Sequence, residues 1–159
     1  MSNGVIQIYY GNGHGKSMAA LGSGISAVGE GRSVIFIQFL KEKQHLEFLQ
    51  RLEPELKCFR FEKSEQRFDE LSEEEKQEEI SNLKNGFSYG RKVITTGACD
   101  ILIMDEILGL LDHGFVSFDE IKEMLEAKPE DMTVIFTGRT MDRRLRGLAD
   151  EIYRIEPEK

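Results

Sequence analysis

The chain is 159 residues long, with 21 basic and 29 acidic side chains, a formal net charge of -8 and two cysteines. That length suits one domain with one sizeable core, and that charge excludes non-specific binding of the whole molecule to nucleic acid or to an anionic membrane. Cys58 and Cys99 sit in no metal-ligand or Cys-x-x-Cys spacing and no apolar run is long enough to span a bilayer, so a reduced, cytoplasmic protein is expected.

Residues 5–10 form an apolar run that reads as a buried strand. It begins so close to Met1 that no signal peptide, and a complete N-terminus, are expected. Directly after it comes Gly11-Asn12-Gly13-His14-Gly15-Lys16-Ser17. Glycines let several backbone N–H groups converge on one anion, and a helix opening near Lys16 adds the positive end of its dipole. The run predicts a phosphate-binding loop, with Lys16 on the terminal phosphates and Ser17 on a magnesium ion. The usual loop has a glycine five residues before the Gly-Lys pair, where Tyr10 stands here. A tight turn would explain the glycines alone, but not Gly-Lys-Ser at a helix start. His14 can offer its ring or its backbone N–H to phosphate.

Residues 16–28 carry the small and apolar side chains of a helix packed on a sheet, closed by Gly29-Glu30-Gly31. A second buried strand covers 33–39, a helical stretch 46–52 stops before Pro54, and 57–61 alternate like a more exposed strand. In the charged run 62–79, Ser72 and Glu75 form a capping box that opens a helix to about Thr96. Ile80, Leu83, Phe87, Val93 and Ile94 recur at helical intervals, so the charges read as a solvated face rather than a partner-binding tail.

Residues 100–106 read as a central strand ending in Asp105-Glu106. Ser117 and Glu120 cap a helix through Lys128, 133–137 form a strand, 143–149 a helix and 151–155 a last short strand. This alternation predicts an α/β fold, three-layer α/β/α with a mostly parallel sheet.

Ligands of such sheets sit at the carboxyl ends of the strands, so residues 11–17, Asp105-Glu106 and Thr137-Gly138-Arg139 are expected to meet. Two acids after a buried strand resemble a Walker B element, one holding magnesium and the other orienting it or a reactant. Alternatively, Glu106 only starts the next helix, where the dipole favours an acid. Arg139 is the best basic candidate for a ligand phosphate, because Gly138 lets backbone and guanidinium approach; Arg143, Arg144 and Arg146 also read as a solvated helix face. His14, His45 and His113 have no paired ligand spacing, so no zinc is expected.

The order of Tyr10-Gly11-Asn12-Gly13-His14-Gly15-Lys16-Ser17, Ile37-Gln38-Phe39-Leu40-Lys41, Ile103-Met104-Asp105-Glu106-Ile107, Phe136-Thr137-Gly138-Arg139 and Ala149-Asp150 resembles the ATP:corrinoid adenosyltransferases, which are built on a RecA-like P-loop NTPase fold. The likeness covers nearly the whole chain. It implies one P-loop nucleotide-binding domain over residues 1–159, in which a Co(I) corrinoid attacks the 5′-carbon of ATP and the whole triphosphate leaves. Lys16 and Glu106 are the implied catalytic residues. Gly11, Asn12, Gly13, His14, Gly15, Lys16, Ser17, Met18, Gln38 and Arg139 are the implied nucleotide contacts, and Ser17, Asp105 and Glu106 the implied holders of Mg2+. The implied partners are ATP, a corrinoid and a second copy of the chain as a homodimer, with no nucleic acid or membrane.

The chain departs from the family pattern at His14 in place of lysine, at Ser17-Met18 in place of Thr-Thr, at Leu108 in place of asparagine, and in having no tryptophan. Two other functions fit the residues: an ATPase or small-molecule kinase on the same fold, and a nucleotide-binding module without turnover.

Overall fold

The computed structural model describes residues 3–40 and 47–159. Six strands, β1 (Ile6–Tyr10), β2 (Val34–Gln38), β3 (Leu56–Arg60), β4 (Ile101–Asp105), β5 (Thr133–Gly138) and β6 (Glu151–Arg154), pair in the order β3-β2-β4-β5-β1-β6. Every pairing is parallel. Four α-helices, α1 (Gly15–Gly29), α2 (Glu73–Thr96), α3 (Ile107–Asp112) and α4 (Phe118–Glu126), complete a three-layer α/β/α arrangement consistent with a RecA-like P-loop fold.

Parallel strands buried on both faces carry apolar residues at every position, and successive side chains feed opposite cores. In β2, Val34 and Phe36 pack on one side with Ala20, Leu21 and Ala27 of α1, while Ile35 and Ile37 pack on the other with Leu83 and Phe87 of α2 and with Ile107 and Ile121 of α3 and α4. β4 repeats the pattern, sending Ile101 and Ile103 toward α1 and Leu102 and Met104 toward α2.

The capping box of Ser72 and Glu75 is present, and Gly97 ends α2 in the left-handed conformation that glycine adopts without strain. The charged run is not a uniformly solvated face, however. Glu62 and Glu79 near its two ends are buried, and Ile80 is only half-buried. The Glu79 carboxylate accepts from the Lys63 backbone N–H at 3.1 Å and from the Asn82 amide at 2.9 Å, which satisfies a charge that burial alone would penalise.

The expected helix at 46–52 is a 3-10 helix, Glu47–Leu52, with only Leu49 fully buried, too little apolar surface to anchor a longer α-helix. Leu46, Lys41 and His45 lie outside the described residues. The expected helix at 143–149 is likewise a 3-10 helix, Arg143–Gly147, whose N-cap Asp142 accepts from the Arg144 backbone N–H. Helix α4 stops at Glu126 rather than Lys128, because Pro129 disfavours helical backbone at the residue before it. The Lys128 ammonium instead donates to the carbonyls of Pro129 and Met132. Helix α3 and the 3-10 turn Phe68–Glu70 carry no sequence signal that the periodicity picks up. Among the described residues no helix is long and apolar enough to cross a membrane.

Candidate functional site

The glycine loop leaves β1 at the carboxyl edge of the sheet, clamped on both sides. Its Gly11 N–H donates to the Gly138 carbonyl at 3.1 Å, and the Ile155 N–H donates to the Tyr10 carbonyl at 2.8 Å. Gly11 has φ +140°, and a Cβ there would lie 2.0 Å from the Ile155 carbonyl oxygen, so this position requires glycine by both conformation and space. The loop then enters α1, where Lys16 and Ser17 are buried in the first turn. The Lys16 ammonium donates to the Gly13 carbonyl at 3.0 Å and stands 3.7 Å from the Glu106 carboxylate.

Asp105 ends β4 fully buried. The Thr137 hydroxyl donates to Asp105 Oδ1 at 2.7 Å and accepts the Glu106 N–H at 2.8 Å, so one side chain of β5 fixes both acids. Glu106 has φ +66°, a conformation that costs a non-glycine residue roughly 1–3 kcal/mol and persists where surrounding contacts determine it. Here those contacts are Thr137, the Lys16 ion pair and the Gly109 N–H, which donates to the Glu106 carbonyl at 3.0 Å.

These pieces face a cleft of about 480 Å³. Gly13, His14, Lys16, Glu106 and Arg139 line its near side. Leu40, Phe68, Asp112 and His113 line the far side, with Arg67, Asp69 and Gly109. Phe68 packs edge-on against His113, with centroids 5.8 Å apart, and His113 stacks on Phe115 at 5.1 Å with 8° between ring planes.

The three expected loops therefore meet, but the candidate residues divide. Gly11, Ser17 and Asp105 are buried and do not line the cleft, while Asn12, Gly15 and Met18 are exposed outside its lining. Gln38, at the end of β2 in register with Asp105, is buried, and its amide nitrogen has no hydrogen-bond partner among the described residues. Arg139 faces the cleft, yet the reason for the glycine before it is a different one. A Cβ at Gly138 would lie 2.3 Å from Leu108 Cβ, so Gly138 makes room for α3 rather than for a ligand. The sequence placed Thr137 in a converging loop and Leu40 in a family motif without giving either a role, weighed His113 only as a zinc ligand, and did not single out Arg67, Phe68, Asp69, Gly109 or Asp112. Phe68, an isolated aromatic in a polar run, was the one available signal for that wall.

A family model described as ATP:corrinoid adenosyltransferase BtuR/CobO/CobP matches residues 2–159. The corrinoid adenosyltransferase of Escherichia coli K12 is 27% identical over 156 residues, which cover 98% of this chain and 78% of that protein. The corrinoid adenosyltransferase CobA of Salmonella typhimurium is 28% identical over the same shares. A corrinoid adenosyltransferase of Pseudomonas aeruginosa is 25% identical over 142 residues, 86% of this chain and 66% of that protein.

Proposed function

Because the chain belongs to the ATP:corrinoid adenosyltransferase family, we propose that its cleft holds the triphosphate of ATP on the near side and receives a Co(I) corrinoid against the far side. The observation that carries this reading is the buried Lys16 ammonium, held by Gly13 and Glu106 at the floor of an open cleft at the carboxyl edge of the sheet.

The cobalt lone pair attacks the ribose 5′-carbon, the cobalt–carbon bond forms, and the carbon–oxygen bond breaks with its electrons leaving on the triphosphate. No protein nucleophile is needed. What the chain supplies is charge stabilisation: the Lys16 ammonium and the N–H groups of residues 13–17 face the leaving group, and donors fixed before the reaction cost no reorganisation during it. Glu106 orients Lys16 across the 3.7 Å ion pair, and Thr137 holds Glu106 in turn. Arg139 extends the cationic lining, and His14 lines the cleft beside it with a ring that can hydrogen-bond phosphate. Gly11, Asn12, Gly15, Met18 and Gln38 act on the nucleotide through the loop and its surroundings rather than from the cleft lining.

The Ser17 hydroxyl with the Asp105 and Glu106 carboxylates is a set of hard oxygen donors of the kind magnesium takes. When bound there, Mg2+ would neutralise part of the charge on the departing triphosphate. We further place residues 1–159 as one nucleotide-binding domain that works as a cytoplasmic homodimer. The family resemblance supports the dimer. The cytoplasmic setting rests on two cysteines that sit in no Cys-x-x-Cys or metal-ligand spacing.

The test is anaerobic incubation with magnesium, ATP and a chemically reduced Co(I) corrinoid, read by visible spectrum and phosphate analysis. Triphosphate together with a new cobalt–carbon bond is expected. ADP would mean phosphoryl transfer, and ATP binding without product would leave only a nucleotide-binding module. Lys16→Ala is expected to lower turnover on the order of 10²–10³-fold, the usual cost of removing one preorganised donor.

A further inference from the structure

Among the described residues two buried carboxylates, Glu62 and Glu79, have no place in the chemistry above, and Glu62 is the one that reaches a residue of the cleft wall. Glu62 follows β3 and is only 7% exposed. Its Oε1 accepts the backbone N–H of Leu40 at 2.7 Å. Leu40 is one of two non-glycine residues with positive φ among the described residues, at +57°. The other is Glu106, inside the proposed catalytic machinery. Strain of this kind persists only where neighbouring groups determine it.

Two further contacts fix where Leu40 goes. The preceding N–H, that of Phe39, donates to the Asp105 carbonyl at 2.9 Å, so the chain stays paired with β4 up to the residue before the turn. The Leu40 side chain then seats on α3, where a Cβ at Gly109 would lie 2.6 Å from Leu40 Cδ1. The result is an alkyl side chain in the wall of the cleft beside Gly109 of α3, in a lining that also holds Glu106 and Phe68.

We propose that Glu62 is a positioning residue for the adenosyl-transfer reaction: its carboxylate holds Leu40 in the left-handed conformation that presents the leucine side chain to the corrinoid. An alkyl group offers nothing to a triphosphate, whereas it packs against the apolar part of a large flat ligand. On the near side Lys16 is held by Gly13 and Glu106, with no bond to Glu62. The inference rests on the adenosyltransferase reading, and its test separates from that of Lys16 because it predicts a defect on the corrinoid side alone.

The experiment is a double-substitution cycle on the full chain with ATP and chemically reduced cobalamin as probes. Glu62→Ala is expected to raise KM for the corrinoid about tenfold while ATP affinity, from direct titration, stays within about twofold. Glu62→Gln keeps an oxygen able to accept the Leu40 N–H and is expected to restore KM to within about threefold of the parent. In a Leu40→Gly background, where positive φ carries no strain, adding Glu62→Ala is expected to change KM by less than about twofold. Thermal midpoints of all variants identify any that fail to fold. The proposal is overturned if Glu62→Ala leaves the corrinoid KM unchanged, if it weakens ATP to the same degree, or if its effect is as large in the Leu40→Gly background as in the parent.

Discussion

The two sides of the cleft are made in different ways. The near side is built on a contiguous stretch, residues 11–17, whose backbone supplies binding groups and which Glu106 and Arg139 join from β4 and β5; the shape of that stretch is enforced by close approach: Gly11 against the Ile155 carbonyl, Lys16 folded onto Gly13. The far side collects single side chains from the exit of β2, the 3-10 turn Phe68–Glu70 and the end of α3. A triphosphate is the same in every ATP-dependent reaction and suits a fixed cradle of N–H groups. The acceptor is what distinguishes one reaction from another, and it meets side chains that can be exchanged one at a time.

If that contrast is right, the near side fails as a unit when one methyl group is added. Gly11→Ala puts a Cβ 2.0 Å from a backbone carbonyl at a φ that alanine disfavours. The strain alone is roughly 1–3 kcal/mol, before the chain after β6 is displaced. ATP affinity is expected to fall at least about tenfold in direct titration, because the N–H groups of the loop no longer converge. Unchanged ATP affinity would show that the loop is not held by the Ile155 contact. The far side should tolerate more. Phe68→Ala removes two edge-on aromatic contacts, with His113 and Phe115, each worth roughly 0.5–1.5 kcal/mol. The corrinoid KM is expected to rise about two- to tenfold with ATP affinity unaffected. A loss of ATP binding in this variant would erase the distinction between the two sides.

The same difference explains what could be read from the residues. Strand order along the chain, both capping boxes and the convergence of three loops followed from local patterns, because apolar runs, Ser-x-x-Glu spacing and a Gly-Lys-Ser step act within a few residues. The phosphate side was legible for that reason. Thr137 bridging two acids, Leu108 filling the space over Gly138 and Glu62 reaching 22 positions back to Leu40 are contacts between distant segments, and no local period marks them. Glu62 was read among the charges of a solvated face. Its burial depends on where β3 ends relative to β2, which is a property of the assembled sheet.

The smallest expected effect concerns stability rather than turnover. Burial pushes the Glu62 carboxyl above its ordinary value and Glu79 adds to the rise, while the Leu40 N–H and Arg60 pull it back without cancelling it. In the window between the ordinary carboxylate value and the raised one, folded protein binds more protons at this site than unfolded protein does. Stability therefore declines as pH rises through that window, and above it the penalty is constant. Glu75, Glu120, Asp142 and Glu151 are held below their ordinary values by hydrogen bonds, so they act oppositely, contributing stability that is lost as pH falls. They are the same in parent and variant and cancel in the difference. Glu62→Gln keeps the acceptor for Leu40 but has no charge to bury. In parallel unfolding titrations the variant is expected to match the parent at low pH, gain on it as pH rises through the window, and hold that gain above it. A difference independent of pH would mean that Glu62 ionises in the fold as readily as in the unfolded chain, and that the far wall is held at no electrostatic cost.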